Sequence, residues 1–427
     1  MTATAIQRVH GRRIWDSRGR PTVEVAVALA GGATGRAIAP AGASTGSGEA
    51  VDLRDGGAVF GGFDVTQAVA AVNGPIAAAL AGTDSADQAG ADARLIEADG
   101  TDNRARLGGN ALVATSMAVA HAAGAAAGRP LWRYLAGNRG AVLPLPEIQI
   151  LGGGAHAGRR VDIQDYMVIA TGAADYAQAL DWTAEVYRAA GALLAEQGRL
   201  QGVADEGGFW PAFDTNEEGL ALLVRAIERA GLEPGAQMAI SLDVAASEFG
   251  QNGRYRLARE DRDLDSDGLA DLLVGWIERY PIVAIEDPLG EDDAKGMARF
   301  TAAVGDRVEI VGDDFLVTNA GRVAAAAGQG ACNAVLIKPN QVGTLSEAKA
   351  AVDAARAAGF GAIVSARSGE TEDVTIVHLA VGWGVPQLKV GSFTRSERMA
   401  KWNEGLRIAE ALGGALPPSE SFVWNRC

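Results

Sequence analysis

An α/β architecture, with an α+β module leading into a parallel β/α barrel, is predicted by two patterns in this sequence. The first is a series of short apolar runs that each end on a charged residue. Met238–Leu242 precedes Asp243, Ile282–Ile285 precedes Glu286, Val308–Gly312 precedes Asp313, Ala334–Ile337 precedes Lys338, Ala362–Ala366 precedes Arg367, and Gln387-Leu388 precedes Lys389. Ala-rich helical stretches separate them, and the spacing is mostly that of one strand-plus-helix unit. The second pattern is confined to the first 137 residues: three strand-like runs, then helix with no further strand signal of similar strength.

Taken in order, strands are expected over 6–15, 22–30 and 34–40, joined by turns at Ser17-Arg18-Gly19 and Gly31-Gly32. Helical stretches follow, including 110–127. Leu143-Pro144-Leu145-Pro146 breaks helix and is read as a linker, so residues 1–137 form the first unit and 138–427 the barrel. In parallel barrels the side chains at C-terminal strand ends converge on one mouth. Three carboxylates, two lysines and an arginine would then share one face, a metal site opposite cations, which reads as an enzyme.

Composition narrows the classes. The formal charge of −15 argues against non-specific nucleic-acid binding and for a local concentration of positive charge wherever an anion binds. Lysine is scarce: Lys295, Lys338, Lys349, Lys389 and Lys401 are the only ones among 38 basic residues, and two of them end barrel strands. Unlike Arg, Lys can give up its proton near neutrality if its surroundings lower its pKa. Cys332 and Cys427 offer neither a disulfide framework nor a zinc pattern, which fits a reducing cytoplasm. No signal-peptide core or membrane-length apolar run is present, so no membrane association is expected.

Taken together, the motifs resemble those of the enolase family over nearly the whole chain. They run from Asp16-Ser-Arg-Gly and Gly42-Ala-Ser-Thr-Gly with Glu49 through Gly153-Gly with His156-Ala, Val161-Asp-Ile-Gln and Asp205-Glu-Gly-Gly-Phe. Leu242-Asp, Ile285-Glu-Asp-Pro, Gly312-Asp-Asp, Leu336-Ile-Lys with Asn340-Gln, Arg367-Ser-Gly-Glu-Thr-Glu-Asp and Arg398 with Ala400-Lys401 complete the series in the family's order. The resemblance implies an N-terminal capping domain and a modified eight-fold barrel. It implies Mg²⁺ on Asp243, Glu286 and Asp313, with Ser44 helping to hold a second ion on the substrate, and hard oxygen donors suit that cation. Lys338 matches the general base, and two ammonium groups with bound Mg²⁺ are expected to lower its pKa. Lys389 matches a partner of the substrate carboxylate, and Glu206 the acid that protonates a departing hydroxyl. Asp165 matches a further catalytic carboxylate, and Gln164, His156, Arg367 and Ser368 match substrate binders, the last two for phosphate. The family also implies a homodimer or an assembly of dimers.

The departures cluster around this site. Ser365-Ala366-Arg367-Ser368 lacks the imidazole that the family carries at position 366, and Asp165 is one methylene shorter than the family's Glu. Gly152 replaces Asn, Ala204 replaces Gly, Trp210 replaces a small residue, and Arg159 and Arg160 stand where neutral residues are common. The two arginines are expected to meet a further anion. From this pattern the sequence predicts a specialised relative resembling carboxyphosphonoenolpyruvate synthase, acting on a phosphorylated or phosphonylated carboxylic acid with a cytidylyl-activated phosphonoformate as donor. The alternatives are phosphopyruvate hydratase and a non-catalytic binding protein that kept the fold.

Overall fold

The computed structural model describes residues 2–425, so the expectation for Cys427 lies outside the described residues. Ile6–Trp15, Pro21–Leu29 and Thr34–Ile38 form an antiparallel three-stranded sheet. Val23, Val25 and Val27 of its central strand are buried. Against the sheet packs the helix Gly109–Ala126, almost wholly buried and rich in Ala. Small side chains allow the close approach: a Cβ on Gly35 would sit 2.2 Å from the Ala118 carbonyl oxygen.

The barrel closes through eight strands: Leu145–Gly152, Asp165–Ile169, Ala239–Asp243, Ile282–Glu286, Glu309–Gly312, Ala334–Ile337, Gly361–Ser365 and Gln387–Ser392. All six strands expected from apolar runs with charged ends are present. Three details differ. The barrel is not wholly parallel: Asp165–Ile169 runs antiparallel to both its neighbours, Leu145–Gly152 and Ala239–Asp243. The connection before it holds one 3₁₀ turn, Gly154–Ala157, and no crossover helix of the kind that usually returns a chain for parallel pairing. The Leu143–Pro146 stretch is only partly a linker, because Leu145 and Pro146 already pair with Gln387 and Leu388. Lys389 is not the last residue of its strand, which continues to Ser392 after a register shift at Gly391.

Among the described residues, no helix is long and apolar enough to cross a membrane.

Candidate active site

The strand ends meet as the spacing predicts. Asp243, Glu286, Asp313, Lys338, Arg367 and Lys389 are all buried at one mouth. Lys389 Nζ donates to Asp243 Oδ2 at 2.9 Å and Glu286 Oε2 at 2.6 Å, and lies 3.7 Å from Asp165 Oδ2. Lys338 Nζ pairs with Asp313 Oδ2. A cleft between these strand ends is lined by Ser44, His156, Gln164, Asp165, Glu206, Asp243, Lys338, Ala366, Arg367, Ser368 and Lys389.

Ring order sets the opposing walls. The strand leading to Lys338 and the inverted strand that begins at Asp165 stand four places apart in the eight-strand ring. On the Asp165 side, His156 Nδ1 lies 3.7 Å from Asp165 Oδ1 and 3.8 Å from Glu206 Oε1. Burial works against the imidazolium, but Glu206 and Asp165 outweigh it and raise the His156 pKa. Glu206 is carried by a loop that docks in two places: Ser392 N donates to the Glu206 carbonyl and Asp205 N to the His156 carbonyl.

The lowering of the Lys338 pKa expected from the sequence belongs to the Mg²⁺-loaded site; with Asp313 paired to Lys338 the balance is different. Burial lowers this pKa, yet the adjoining Asp313 carboxylate more than offsets that effect, and the net direction is up. Asp313 is correspondingly held below the usual carboxylate range, because Lys338 and Arg367 overcome its burial. Lys389 is raised well above its ordinary value as Asp243 and Glu286 outweigh burial. Glu286 moves well up, driven by burial and then by Asp243. The resemblance pointed to the lysines but could not show that each folds against a carboxylate of its own.

The chemistry of the donors suits a divalent cation, although among the described residues the three carboxylates brought within 4.8 Å of one another are those of Asp287, Asp313 and Asp314 rather than the expected trio. Asp243, Glu286 and Asp313 offer buried, hard carboxylate oxygens, and Glu286 Oε1 has no hydrogen-bond partner. Gln164 Nε2 is also bound to Asp243 Oδ2 at 3.0 Å. Ser44, half-buried on the 41–50 loop, accepts a hydrogen bond at its carbonyl from Arg367 Nη2 at 2.8 Å.

Arg159 and Arg160 do not line the cleft, contrary to the expectation that they meet substrate. Arg159 bonds the Glu248 carboxylate at 3.1 Å and its carbonyl at 3.0 Å, while Arg160 lies over the Trp210 ring at 4.8 Å. Two other departures also answer one another. A Cβ on Gly152 would lie 2.7 Å from that of Ala204, so the methyl at 204 demands the glycine at 152. The shortened Asp165 is reached by the Gln149 amide. Only Ala366, buried among the cleft residues, has no compensating neighbour of this kind.

Several supporting residues had not been singled out as site residues. Asp287 accepts from Asp313 N and Asp314 N at 2.9 and 2.8 Å, fixing the turn that presents Asp313. Gln341 Nε2 reaches Asp313 Oδ1 at 2.9 Å, and Thr318 Oγ1 receives the Lys338 amide at 2.9 Å. Arg18 reaches Ser368 Oγ at 3.3 Å. Their motifs were visible, but these long-range pairings leave no mark on local spacing.

Comparison with known proteins agrees with this geometry. The family "Enolase, N-terminal domain" matches residues 6–135, and "Enolase, C-terminal TIM barrel domain" matches residues 140–417. A Rubrobacter xylanophilus protein named "Enolase" is 49% identical over 413 residues, covering 96% of each chain. A Pseudomonas syringae pv. syringae protein named "Enolase 2" is 48% identical over 412 residues, again covering 96% of each. By both domain matches and by these full-length relatives, the chain belongs to the enolase family.

Proposed function

We propose that this protein is a phosphopyruvate hydratase, which removes water from 2-phosphoglycerate to give phosphoenolpyruvate. The observation that carries the reading is the placement of Lys338 and of the Asp165–His156–Glu206 group on opposing walls of one cleft. Elimination needs a base on one side of the substrate and a proton donor for the departing hydroxyl on the other. Lys338 takes the proton from the carbon next to the carboxylate, and Glu206 supplies one to the leaving oxygen. Lys389 offers its ammonium to the substrate carboxylate, where negative charge accumulates as the proton leaves. Arg367 and Ser368 receive the phosphate. Asp243, Glu286 and Asp313 would hold a Mg²⁺, which would supply positive charge to stabilise that build-up. The names of the two relatives support this reading, as does the packing account for the paired departures.

A second reading is favoured by Ala366 alone. It puts a methyl beside Arg367 and Ser368, where the family sequence carries an imidazole. That change suits an acid whose phosphorus bears a further group, as in carboxyphosphonoenolpyruvate formation from cytidylyl phosphonoformate.

³¹P NMR of the protein with Mg²⁺ and 2-phosphoglycerate separates the two. Rapid phosphoenolpyruvate formation is expected, and Lys338→Ala should abolish exchange of the proton next to the carboxylate while Mg²⁺ still binds. No turnover, followed by a new phosphorus resonance once cytidylyl phosphonoformate is added, would transfer the assignment to the second reading. Normal exchange in Lys338→Ala would remove the base assignment.

A further inference from the structure

We infer that Glu49 is a positioning residue that couples the 41–50 loop, whose Gly42–Ser44 segment lines the cleft, to the aim of Arg367. Its side chain is only 6% exposed, and that of Arg367 only 3%. The carboxylate grips the guanidinium with both oxygens, Arg367 Nη1 to Oε2 at 2.9 Å and Nη2 to Oε1 at 3.1 Å. The same Oε1 receives Gly46 N at 3.1 Å and Gln341 Nε2 at 3.3 Å.

Three parts of the site therefore meet on one carboxylate. The 41–50 loop arrives through Gly46, the phosphate-binding arginine through its fork, and the metal side through Gln341, which also holds Asp313. Gln341 Oε1 in turn accepts from Thr318 Oγ1 at 2.5 Å, and Thr318 receives the Lys338 amide. The loop lies directly on the guanidinium: Arg367 Nη2 donates to the Ser44 carbonyl, and a Cβ on Gly42 would sit 2.1 Å from that nitrogen. Arg has five N–H donors in a fixed fork. Glu49 takes one hydrogen from each Nη and Ser44 the second on Nη2, so only Nε and the outer Nη1 hydrogen remain, on opposite sides of the fork. Glu49 thus fixes the end of the fork and moderates its charge.

The inference rests on the hydratase reading for its kinetic test only. In Glu49→Gln, hydrogen exchange at the 46–50 amides, measured without substrate, should quicken at least about tenfold and by more than the accompanying fall in the urea midpoint accounts for, since unpairing a buried guanidinium also lowers global stability. With 2-phosphoglycerate, kcat should fall about tenfold and KM should hold or drop, because an unneutralised Arg367 binds phosphate more tightly but is aimed poorly. Glu49→Asp, which keeps the charge, should recover part of kcat. Unchanged loop exchange in Glu49→Gln, or a raised KM with unchanged kcat, would overturn the inference. Should the wild-type protein leave 2-phosphoglycerate untouched, the function reading fails and the exchange result alone decides the role of Glu49.

Discussion

Arg398→Lys tests whether a buried guanidinium fork holds the phosphate side of the cleft together. Arg398 is fully buried. Its Nη1 donates to the carbonyls of Arg367 and Val390, both at 2.7 Å, and its Nη2 to the Ser368 carbonyl at 2.5 Å. These carbonyls belong to two strand-end segments that line the cleft, so one side chain spans both. Lysine keeps the charge but offers its donors from a single point on a shorter reach, and two of the three bonds are lost. Hydrogen bonds to charged groups contribute roughly 1.5–3 kcal/mol each, so the loss should come to about 3 kcal/mol or more. The native margin of a protein is itself only about 5–15 kcal/mol. Urea titration reads the stability, and steady-state kinetics with 2-phosphoglycerate read the site. Since Arg367 and Ser368 would drift, a displacement near 1 Å should cost about a hundredfold in kcat/KM. A stability loss under about 0.5 kcal/mol with unchanged kcat/KM would refute the reasoning.

Acid sensitivity should trace in part to His378. Burial and the nearby His121, whose ring centroid lies 6.1 Å away, push its pKa down to about 4, against the pull of Glu404 and Asp373. The folded state thus binds this proton less readily than the unfolded chain. Stability is lost as pH falls from about 6.5 towards 4, by up to about 3 kcal/mol. In His378→Gln, urea midpoints from pH 7.5 to 4.5 should fall less steeply than in the wild type, and parallel curves would dismiss the histidine. Separately, we propose that Trp15, Val59, Phe60 and Phe63, exposed by 49, 59, 44 and 37%, form the dimer face that the family resemblance implies. Light scattering should find a wild-type dimer and a Phe60→Asp monomer, and a monomeric wild type would end that proposal.

The barrel was legible because six strands announce themselves by an apolar run closed by a charge. Two strands escaped the rule for physical reasons. Leu145–Gly152 runs into Gly153 and carries no terminal charge, while the inverted Asp165–Ile169 has its charge at the beginning. Strand ends brought Asp243, Glu286 and Asp313 to one buried mouth, and the loops that follow the motif order bring Glu206 and His156 to its edge. Illegible were the contacts between distant residues: the pairing of Lys338 with Asp313 and that of Arg159 with Glu248. Whether Gly152 and Ala204 were two changes or one could be told only from their 2.7 Å approach.

On the hydratase reading, the inverted strand gives the two proposed proton positions unequal footing. After Asp165–Ile169 descends, the helix Tyr176–Glu196 climbs back, and Glu206 follows on the connection between it and the helix Glu217–Arg229. Lys338 directly follows a barrel strand, whereas Glu206 hangs between two helices outside the ring. Insertions or deletions in the 197–216 connection can therefore retune which group departs without disturbing the wall that holds the base. A fold arranged this way can diversify its leaving-group chemistry while inheriting its proton abstraction unchanged.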